Sequence, residues 1–292
     1  MKKIYLLLLL ATLSLNLFCQ HSDTIVLDST YFYYWDSDIT DWVITSRVVY
    51  IYDANGNETE HINYDWDSES NDWVRGFRST RTYDAIRNST ETTNYKWDSE
   101  TNEWVGSMKW VIAYDTNGNR TEYSKIIWDS EINDWVGYWR EVKTYDDNGN
   151  LTEIIQYWWG NEINDWVEKF RYVYAYDVSG NNTEYIWYER DSVTIDWVIS
   201  SRTVYEYDTI GNQTEWIMYD WDSETNDWVV GEMRYTYAYD ANRNQTEEIR
   251  YKWDSVTSNW IVRYRIAYAY DTNGNVTEYI DYEWDSVTSN WI

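Results

Sequence analysis

The chain has 292 residues, of which 43% are hydrophobic, and its aromatic side chains are mostly those with a polar tip: 31 Tyr and 22 Trp against 4 Phe. The 51 acidic and 23 basic residues give a formal charge of −28. This charge argues against a nucleic-acid-binding protein, because phosphates require a basic surface. The mean hydropathy of −0.74 argues against an integral membrane protein, apart from the N-terminus. Tyr and Trp favour β-strands and half-buried surfaces.

Residues 1–19 begin with Met-Lys-Lys, continue with the apolar run Ile4–Leu13 and predict a secretory signal peptide. We expect cleavage between Cys19 and Gln20, which would leave a mature chain without cysteine and therefore without disulfides. This pattern predicts a bacterial protein that is secreted or held at the cell surface and does not span the membrane after cleavage. Residues 20–27 are predicted to be a linker.

Residues 28–292 are predicted to form one domain of tandem repeats, the last of them truncated. Tyr-Asp pairs recur every 31 residues, with a single interval of 32, and a second series of Trp has the same period. The pairs begin at Tyr52, Tyr83, Tyr114, Tyr145, Tyr176, Tyr207, Tyr239 and Tyr270, and the Trp series is Trp42, Trp73, Trp104, Trp135, Trp166, Trp197, Trp228, Trp260 and Trp291.

Each repeat predicts two antiparallel strands joined as a hairpin. Alternation from Trp166 to Tyr176 places this Trp on the same face as Phe170. In the other type of strand, alternation from Glu215 to Trp221 places both of these end residues on one face. Charged residues interrupt any helical stripe in both segments, so the pattern favours strands over helices.

The turn after each Tyr-Asp pair carries the sequence signal of a tight hairpin. Asn55 and Gly56 predict a type I′ turn, in which both central residues have positive φ. Arg87 and Arg243 replace the glycine in two copies, and those turns are predicted to be either strained or of another type.

The other connection is a longer polar loop bracketed by two Trp. We expect Trp66 and Trp73 to pack against each other at the base of this loop. Two copies depart from the pattern, since Gly160 follows Trp159 and Arg190 stands where the first Trp is expected. The single interval of 32 places an extra residue near Gly231 and predicts a β-bulge there.

The predicted fold class is all-β: tandem 31-residue β-hairpin repeats that form a long antiparallel meander. The chain supplies about seventeen strands, and sheets of more than about ten strands usually curl or split. A flat sheet would also expose a wide aromatic face. We therefore expect a curled or spiralling sheet with the more aromatic face inward, and an extended single-layer sheet is the alternative.

The segment from Tyr145 to Thr152, Tyr-Asp-Asp-Asn-Gly-Asn-Leu-Thr, resembles the YD repeat of RHS-type bacterial proteins. The resemblance implies a spiralling β-sheet shell, which in that family sometimes encloses a toxin domain. Together with the signal peptide, it also resembles surface proteins exported by the type IX route. The half-repeat Trp-Asp-Ser-Glu-x-Asn-Asp-Trp departs from the family pattern, so the implied fold is better supported than the implied toxin function.

The chain is not expected to be an enzyme, and no catalytic residue or cofactor-binding residue is proposed. It has only two His, no cysteine in the predicted mature chain, and neither a nucleophile elbow nor a phosphate-binding glycine loop. Its carboxylates recur in every repeat, whereas a catalytic pair would be set apart in one place.

Two kinds of binding residue remain as hypotheses. Oxygen-bearing turn side chains are weak calcium candidates, although their spacing does not match an EF-hand: Asp53, Asn55, Asn57, Asp115, Asn117, Asn119, Asp271, Asn273 and Asn275. Trp side chains that bracket the loops could stack on glycans: Trp66, Trp73, Trp221 and Trp228.

The sequence favours a non-enzymatic secreted or cell-surface repeat protein with a structural or adhesive scaffold role. Carbohydrate binding is the first alternative, and an RHS-type shell fragment of a toxin system is the second. An extracellular glycan or a surface protein is the expected partner, nucleic acid is not, and open sheet edges allow self-association.

Overall fold

The computed structural model describes the backbone of residues 12–21 and 24–292 and the side chains of residues 28–292, and every regular element in this part is a β-strand. Most of the predicted signal peptide and residues 22–23 of the predicted linker lie outside it. The strands are β1 (Thr12–His21), β2 (Thr24–Asp36), β3 (Asp41–Tyr52), β4 (Glu58–Asp67), β5 (Asp72–Tyr83), β6 (Ser89–Asp98), β7 (Glu103–Tyr114), β8 (Arg120–Asp129), β9 (Asp134–Tyr145), β10 (Leu151–Gly160), β11 (Asp165–Tyr176), β12 (Asn182–Arg190), β13 (Trp197–Tyr207), β14 (Gln213–Asp222), β15 (Asp227–Tyr239), β16 (Gln245–Asp254), β17 (Asn259–Tyr270), β18 (Val276–Asp285) and β19 (Asn290–Trp291).

The strands belong to two compact units. The first comprises residues through Arg140 together with Trp158–Trp166, and the second comprises Glu141–Tyr157 and Val167–Ile292. In the first unit, strands β1 to β8 pair antiparallel in chain order. In the second, strands β11 to β19 do the same. The predicted antiparallel meander of hairpin repeats is therefore confirmed.

Within each unit the sheet is a single layer, as in the alternative that the sequence left open. The extensive contacts of a strand are with the strands that precede and follow it in sequence. Among the described residues, Ile266 is the only buried hydrophobic side chain, and most other buried side chains are small and polar: Ser29, Thr30, Ser79, Thr93 and Ser124. Stability therefore comes from side chains that are half-buried by their neighbours on the same face, as in other linear repeat proteins.

A β-bulge interrupts the strand that follows the polar loop in six hairpins whose register is described. Across β4 and β5, Asn63 faces Phe77 but Tyr64 faces Arg75, so Gly76 has no partner. The same skip recurs at Ser107, Ser200 and Arg263. An unpaired residue moves the side chains after it to the opposite face. The strict alternation expected from Trp166 to Tyr176 omitted this bulge, and it fails in every hairpin of this type whose register is described.

The bulge expected near Gly231 is present and is larger than in the other repeats. Ile217 faces Arg234 while Tyr219 faces Val230, so residues 231–233 of β15 lie opposite a single residue of β14. A Cβ at Gly231 would lie 2.8 Å from the carbonyl oxygen of Met218. The strand can bulge at this point because glycine lets the two backbones approach closely.

The Tyr-Asp turns are three-residue hairpin loops, and the predicted type I′ geometry is wrong. Gly56 donates to the carbonyl of Asp53, and Asp53 donates to the carbonyl of Asn57. Gly56 has φ +82°, whereas Asn55 is not among the residues with positive φ. This is a type I turn followed by a left-handed residue, the usual three-residue hairpin. The Asn-Gly signal predicted a hairpin correctly because both turn classes need a residue with positive φ.

The polar loops contain a second left-handed position. In the copies from Asn71 to Asn226 this residue is usually Asn, which tolerates positive φ because its side chain can bond locally. Ile195 holds the position in one loop with φ 63°, a conformation that is strained for a β-branched residue. The loop still closes, since Ile195 donates to the carbonyl of Asp191 at 3.1 Å.

Replacing Arg87 with glycine should stabilise the protein. Arg87 forms the same turn hydrogen bond as the glycines of the other copies, yet it has φ +72°. A left-handed conformation costs a non-glycine residue about 1–2 kcal/mol, so Arg87→Gly is expected to raise the free energy of unfolding by about 1 kcal/mol. Urea unfolding measures the change. Gly118→Arg is the matched reverse control, and a loss of stability in Arg87→Gly would contradict the turn assignment.

Candidate binding surfaces

The calcium candidates lie in the Tyr-Asp turns, where the aspartate closes the turn itself. Oδ1 of Asp53 accepts hydrogen bonds from the backbone N–H groups of Asn55 and Asn57, both at 2.9 Å, and Oδ2 accepts one from the Asn57 side-chain amide at 2.9 Å. These bonds, first of all the one from the Asn57 side chain, hold the pKa of Asp53 below its ordinary value. The turns at Asp115 and Asp271 repeat the arrangement.

Turn closure therefore explains the aspartate and asparagines without an ion. Among the residues that the structure describes, no group of three or more His, Cys, Asp or Glu side chains is placed to hold a metal. The same part of the chain has no helix that is long and apolar enough to cross a membrane.

The Tyr of several Tyr-Asp pairs ties neighbouring hairpins together. The hydroxyl of Tyr83 donates to the carbonyl of Glu58, 25 residues earlier, at 2.7 Å. The hydroxyls of Tyr176 and Tyr270 make the same bond, each at 2.8 Å, to Leu151 and Gln245. The motif is therefore structural: its Tyr bonds to the preceding repeat and its Asp closes the turn.

The two Trp that bracket each polar loop pack edge to face, as the sequence predicts. Trp66 and Trp73 face each other across β4 and β5, with ring centroids 5.1 Å apart and planes 70° apart. Such a contact is worth about 0.5–1.5 kcal/mol beyond the area it buries. The glycan-stacking candidates Trp66, Trp73, Trp221 and Trp228 are all half-buried members of these pairs. Equivalent pairs are Trp35–Trp42, Trp97–Trp104, Trp128–Trp135, Trp159–Trp166, Trp253–Trp260 and Trp284–Trp291.

The pairs Trp128–Trp135 and Trp159–Trp166 also pack against the preceding repeat. A Cβ on Gly106 would lie 2.7 Å from both Trp128 and Trp135, so this glycine leaves room for the next pair of rings. Where Arg190 replaces the first Trp, its guanidinium lies 5.0 Å from the ring centroid of Trp197. A cation–π contact then replaces the contact between two rings.

A ladder of ion pairs accompanies the Trp pairs. A basic residue follows the second Trp of each pair up to Trp260 by five positions, or by six where β15 is longer. In seven repeats a Glu on the preceding strand pairs with it. Arg234, for example, donates to both carboxylate oxygens of Glu215, at 2.7 and 3.0 Å. The pairs are Glu60–Arg78, Glu91–Lys109, Glu122–Arg140, Glu153–Arg171, Glu184–Arg202, Glu215–Arg234 and Glu247–Arg265.

The arginines of this ladder also lie over tyrosines of the following strand. The guanidinium of Arg78 is 5.3 Å from the ring centroid of Tyr95, and that of Arg234 is 4.9 Å from Tyr251. We use the term constant face for the side of the sheet that carries the Trp pairs, the Glu–Arg ladder and these tyrosines. Sequence reasoning missed the ladder. Aligning the repeats at the Trp would have found it, because the basic residue and the Glu then fall into two columns.

The opposite side of the sheet changes from repeat to repeat, and we call it the variable face. At the position one residue after the ladder Glu it carries His61, Thr92, Tyr123, Ile154, Tyr185, Trp216, Glu248 and Tyr279. At the position one residue after the ladder base it carries Val48, Ser79, Trp110, Glu141, Tyr172, Thr203, Tyr235 and Ile266. The repeats therefore share one face and differ on the other.

The variable face is richest in aromatic rings in the second unit. Tyr172 and Tyr185 stack with ring centroids 5.9 Å apart and planes 12° apart, and Tyr174 lies 5.3 Å from Tyr185. Trp216 stacks on Tyr235 at 4.5 Å. Burial raises the pKa of Tyr174 to about 12 and also raises that of Tyr185, so both hydroxyls stay protonated at neutral pH.

Comparisons with known proteins give a partial match. The model of DUF3836, a family of unknown function, matches residues 229–292, less than half of the chain. No curated protein matches. A solved structure of unknown function from Bacteroides fragilis NCTC 9343 is 19% identical, covers 44% of this chain and 91% of its own, and has a TM-score of 0.35.

Two further solved structures are similar at lower identity. A DUF3836 family protein from Bacteroides vulgatus ATCC 8482 is 17% identical over 31% of this chain and 89% of its own, with a TM-score of 0.25. The Photorhabdus luminescens Tc holotoxin pore is 14% identical over 96% of this chain but only 14% of its own, with a TM-score of 0.46. With TM-scores below 0.5, these structures do not support a functional assignment.

Acid should destabilise the protein through the turn aspartates. Hydrogen bonds hold the pKa of Asp115 and Asp146 below the ordinary 3.8, first of all those from the side chains of Asn119 and Asn150. A depressed folded-state pKa gives stability that is present above the unfolded pKa and lost as the pH falls through the folded pKa. As the pH is lowered from 7, the melting temperature should first rise, because the self-repulsion of the negative charges is relieved. At pH values below about 4 the melting temperature should then decrease, because the turn aspartates become protonated. Asp115→Asn should show a smaller acid loss, and an unchanged melting temperature between pH 4 and pH 2 would contradict this account.

The Glu215–Arg234 ion pair should contribute measurably to stability. The two side chains are 17% and 28% exposed, and their contact is bidentate. A double-mutant cycle with Glu215→Gln and Arg234→Gln is expected to give a coupling energy of about 1 kcal/mol, the upper end for partly exposed pairs. The control cycle uses Glu232 and Lys252, which are 75% and 52% exposed and 3.6 Å apart. Equal coupling energies in the two cycles would contradict the claim that the ion pairs of the ladder stabilise the fold more than an exposed ion pair does.

Proposed function

We propose that the protein is a non-enzymatic secreted or cell-surface repeat protein that acts as a structural or adhesive scaffold. The observation that carries the proposal is the division of the sheet into a constant face and a variable face. Residues that hold adjacent hairpins together recur in every repeat, so the constant face supports the fold. A face whose residues differ from repeat to repeat has no such shared structural task and is available for contact with a partner.

The resemblance of the Tyr-Asp turns to the YD repeat supports the same class of protein. In this chain the Tyr and Asp of the motif bond to backbone groups of the sheet itself, which suits a scaffold. An RHS-type shell fragment of a toxin system is a further proposal that rests on the same resemblance, whereas the sequence features that recur here are structural.

Carbohydrate binding by the variable face is the second candidate function, and the aromatic rings of the second unit favour it. Tyr172, Tyr174 and Tyr185 present adjacent rings with polar tips, which suits a polar ligand with apolar ring faces. The Trp pairs first proposed for glycan stacking are engaged with each other on the constant face. The stacked tyrosines are therefore the better candidates.

Export is tested by expressing the full chain in a Bacteroides host, since two of the similar structures come from that genus. We expect the protein to be accessible to protease on intact cells or present in the medium, with an N-terminus at Gln20. A chain that stays in the cytoplasm with residues 1–19 uncleaved would contradict the proposal.

The contact surface is tested by binding of the purified protein to a glycan array and to immobilised surface proteins. We expect saturable binding that weakens at least tenfold in Tyr185→Ala. Tyr123→Ala is the matched control, because Tyr123 holds the same repeat position in the first unit, where it packs against Trp139 at 5.8 Å. An equal loss of affinity in the two variants, or no binding to glycans and surface proteins, would contradict the proposal that the variable face of the second unit is the contact surface.

A further inference from the structure

The first basic residue of the constant face lacks the partner that the later ones have. Arg47 occupies the first position of the basic column, but Ser29 stands where the later repeats carry the ladder Glu. The Nε atom of Arg47 is buried and has no hydrogen-bond partner in the described part of the chain. A buried N–H donor without a hydrogen bond destabilises the folded protein. The unpaired Nε of Arg47 therefore requires an explanation.

Two aromatic rings fix the position of this guanidinium. Its central carbon lies 4.6 Å from the ring centroid of Tyr64 and 4.8 Å from that of Trp73. Cation–π contacts hold the plane of the group, but they do not satisfy its N–H donors. Arg47 is therefore held in place with hydrogen-bonding capacity left over.

A second unpaired arginine lies beside it. Arg75 stands two residues after Trp73, a position at which most other repeats carry an uncharged residue: Ile44, Gly106, Gly137, Ile199, Val230 and Val262. Its guanidinium lies 4.6 Å from the ring centroid of Trp97. Among the described residues, neither Arg47 nor Arg75 forms an ion pair, whereas seven later members of the basic column do.

Both arginines line one open cavity of about 410 Å³ in the first unit. The other side chains around it include Tyr64, Trp97 and Asn102, and Asp72 is its single carboxylate. Oδ1 of Asp72 already accepts a hydrogen bond from the backbone N–H of Trp73 at 2.7 Å. The repeat pattern thus loses a carboxylate on β2, beside Arg47, and gains a guanidinium on β5. The cavity that both arginines line therefore holds two cationic groups and one carboxylate on a chain with a formal charge of −28.

We infer that this cavity is a binding site for an oxyanion group, a carboxylate or a phosphate, carried by a small polar ligand. Guanidinium groups bind such groups through paired N–H donors, and the cavity volume lies within the usual range for small-molecule sites. An anion in the cavity would accept hydrogen bonds from Arg47 and Arg75, which form no ion pair among the described residues. The site lies on the constant face and does not depend on the proposed adhesive role of the variable face.

Calorimetric titration of the full chain at constant ionic strength tests the site. The probes are sodium glucuronate and inorganic phosphate, with glucose as the neutral control. We expect saturable binding of at least one oxyanion and none of glucose, and the relative affinities of the two anions distinguish a sugar acid from free phosphate. Binding of neither anion, or equal heats with chloride at the same ionic strength, would overturn the inference.

Three variants locate the binding. Arg75→Val introduces the residue found at this position in two other repeats and should weaken binding at least tenfold. Ser29→Glu restores the missing ladder carboxylate, so it should raise the melting temperature and also weaken binding at least tenfold. Arg87→Gly removes one positive charge from a Tyr-Asp turn and should leave the affinity unchanged. If it weakens binding as much as Arg75→Val does, the attraction is general and the inference is wrong.

Discussion

The structure depends on the contact between each strand and its two neighbours along the constant face. In seven repeats a Glu from one strand pairs with a basic residue from the next, and in most of them a Tyr from the third strand extends the row across the sheet. A Trp pair closes the end of most hairpins, and Arg190 with Trp197 closes one. Because these contacts join consecutive strands, each repeat is stabilised by the repeats beside it. The 31-residue period is the distance along the chain at which this set of contacts can be repeated.

The unusual composition follows from the single-layer sheet. Because the described sheet of each unit is a single layer, most of its side chains are only half-buried. This suits Tyr and Trp better than Phe or Leu, because their polar tips can stay hydrated or bonded. Tyr83 shows the principle, since its ring lies against the sheet while its hydroxyl bonds to the backbone of Glu58. Arginine serves in the same way, with its stem packed on the sheet and its charge paired or placed over a ring.

The sequence predicted the hairpins, the Trp66–Trp73 contact and the bulge at Gly231, because each depends on residues close together in the chain. It did not predict the bulge at Gly76, since one extra residue that recurs in every repeat leaves the period unchanged. The turn at Gly56 was assigned to the wrong type because both hairpin turn classes favour the same residues. The ladder was missed because its partners, such as Glu60 and Arg78, stand 18 positions apart and fall into columns only when the repeats are aligned at the Trp. The ring contacts of the variable face depend on the strand register, which the structure supplies.

The most direct test of this account compares two deletions by denaturant unfolding. Removing residues 177–207 takes out one full period of the second unit and joins Tyr176 to Asp208, which preserves the turn and both faces. We expect this variant to fold, with a free energy of unfolding that is lower by only a few kcal/mol. Removing Val204 alone should be more damaging for its size, because it sends the neighbouring side chains of β13 to the opposite face. A full-period deletion that cannot fold, beside a Val204 deletion without effect, would contradict the claim that contacts between consecutive repeats hold the structure.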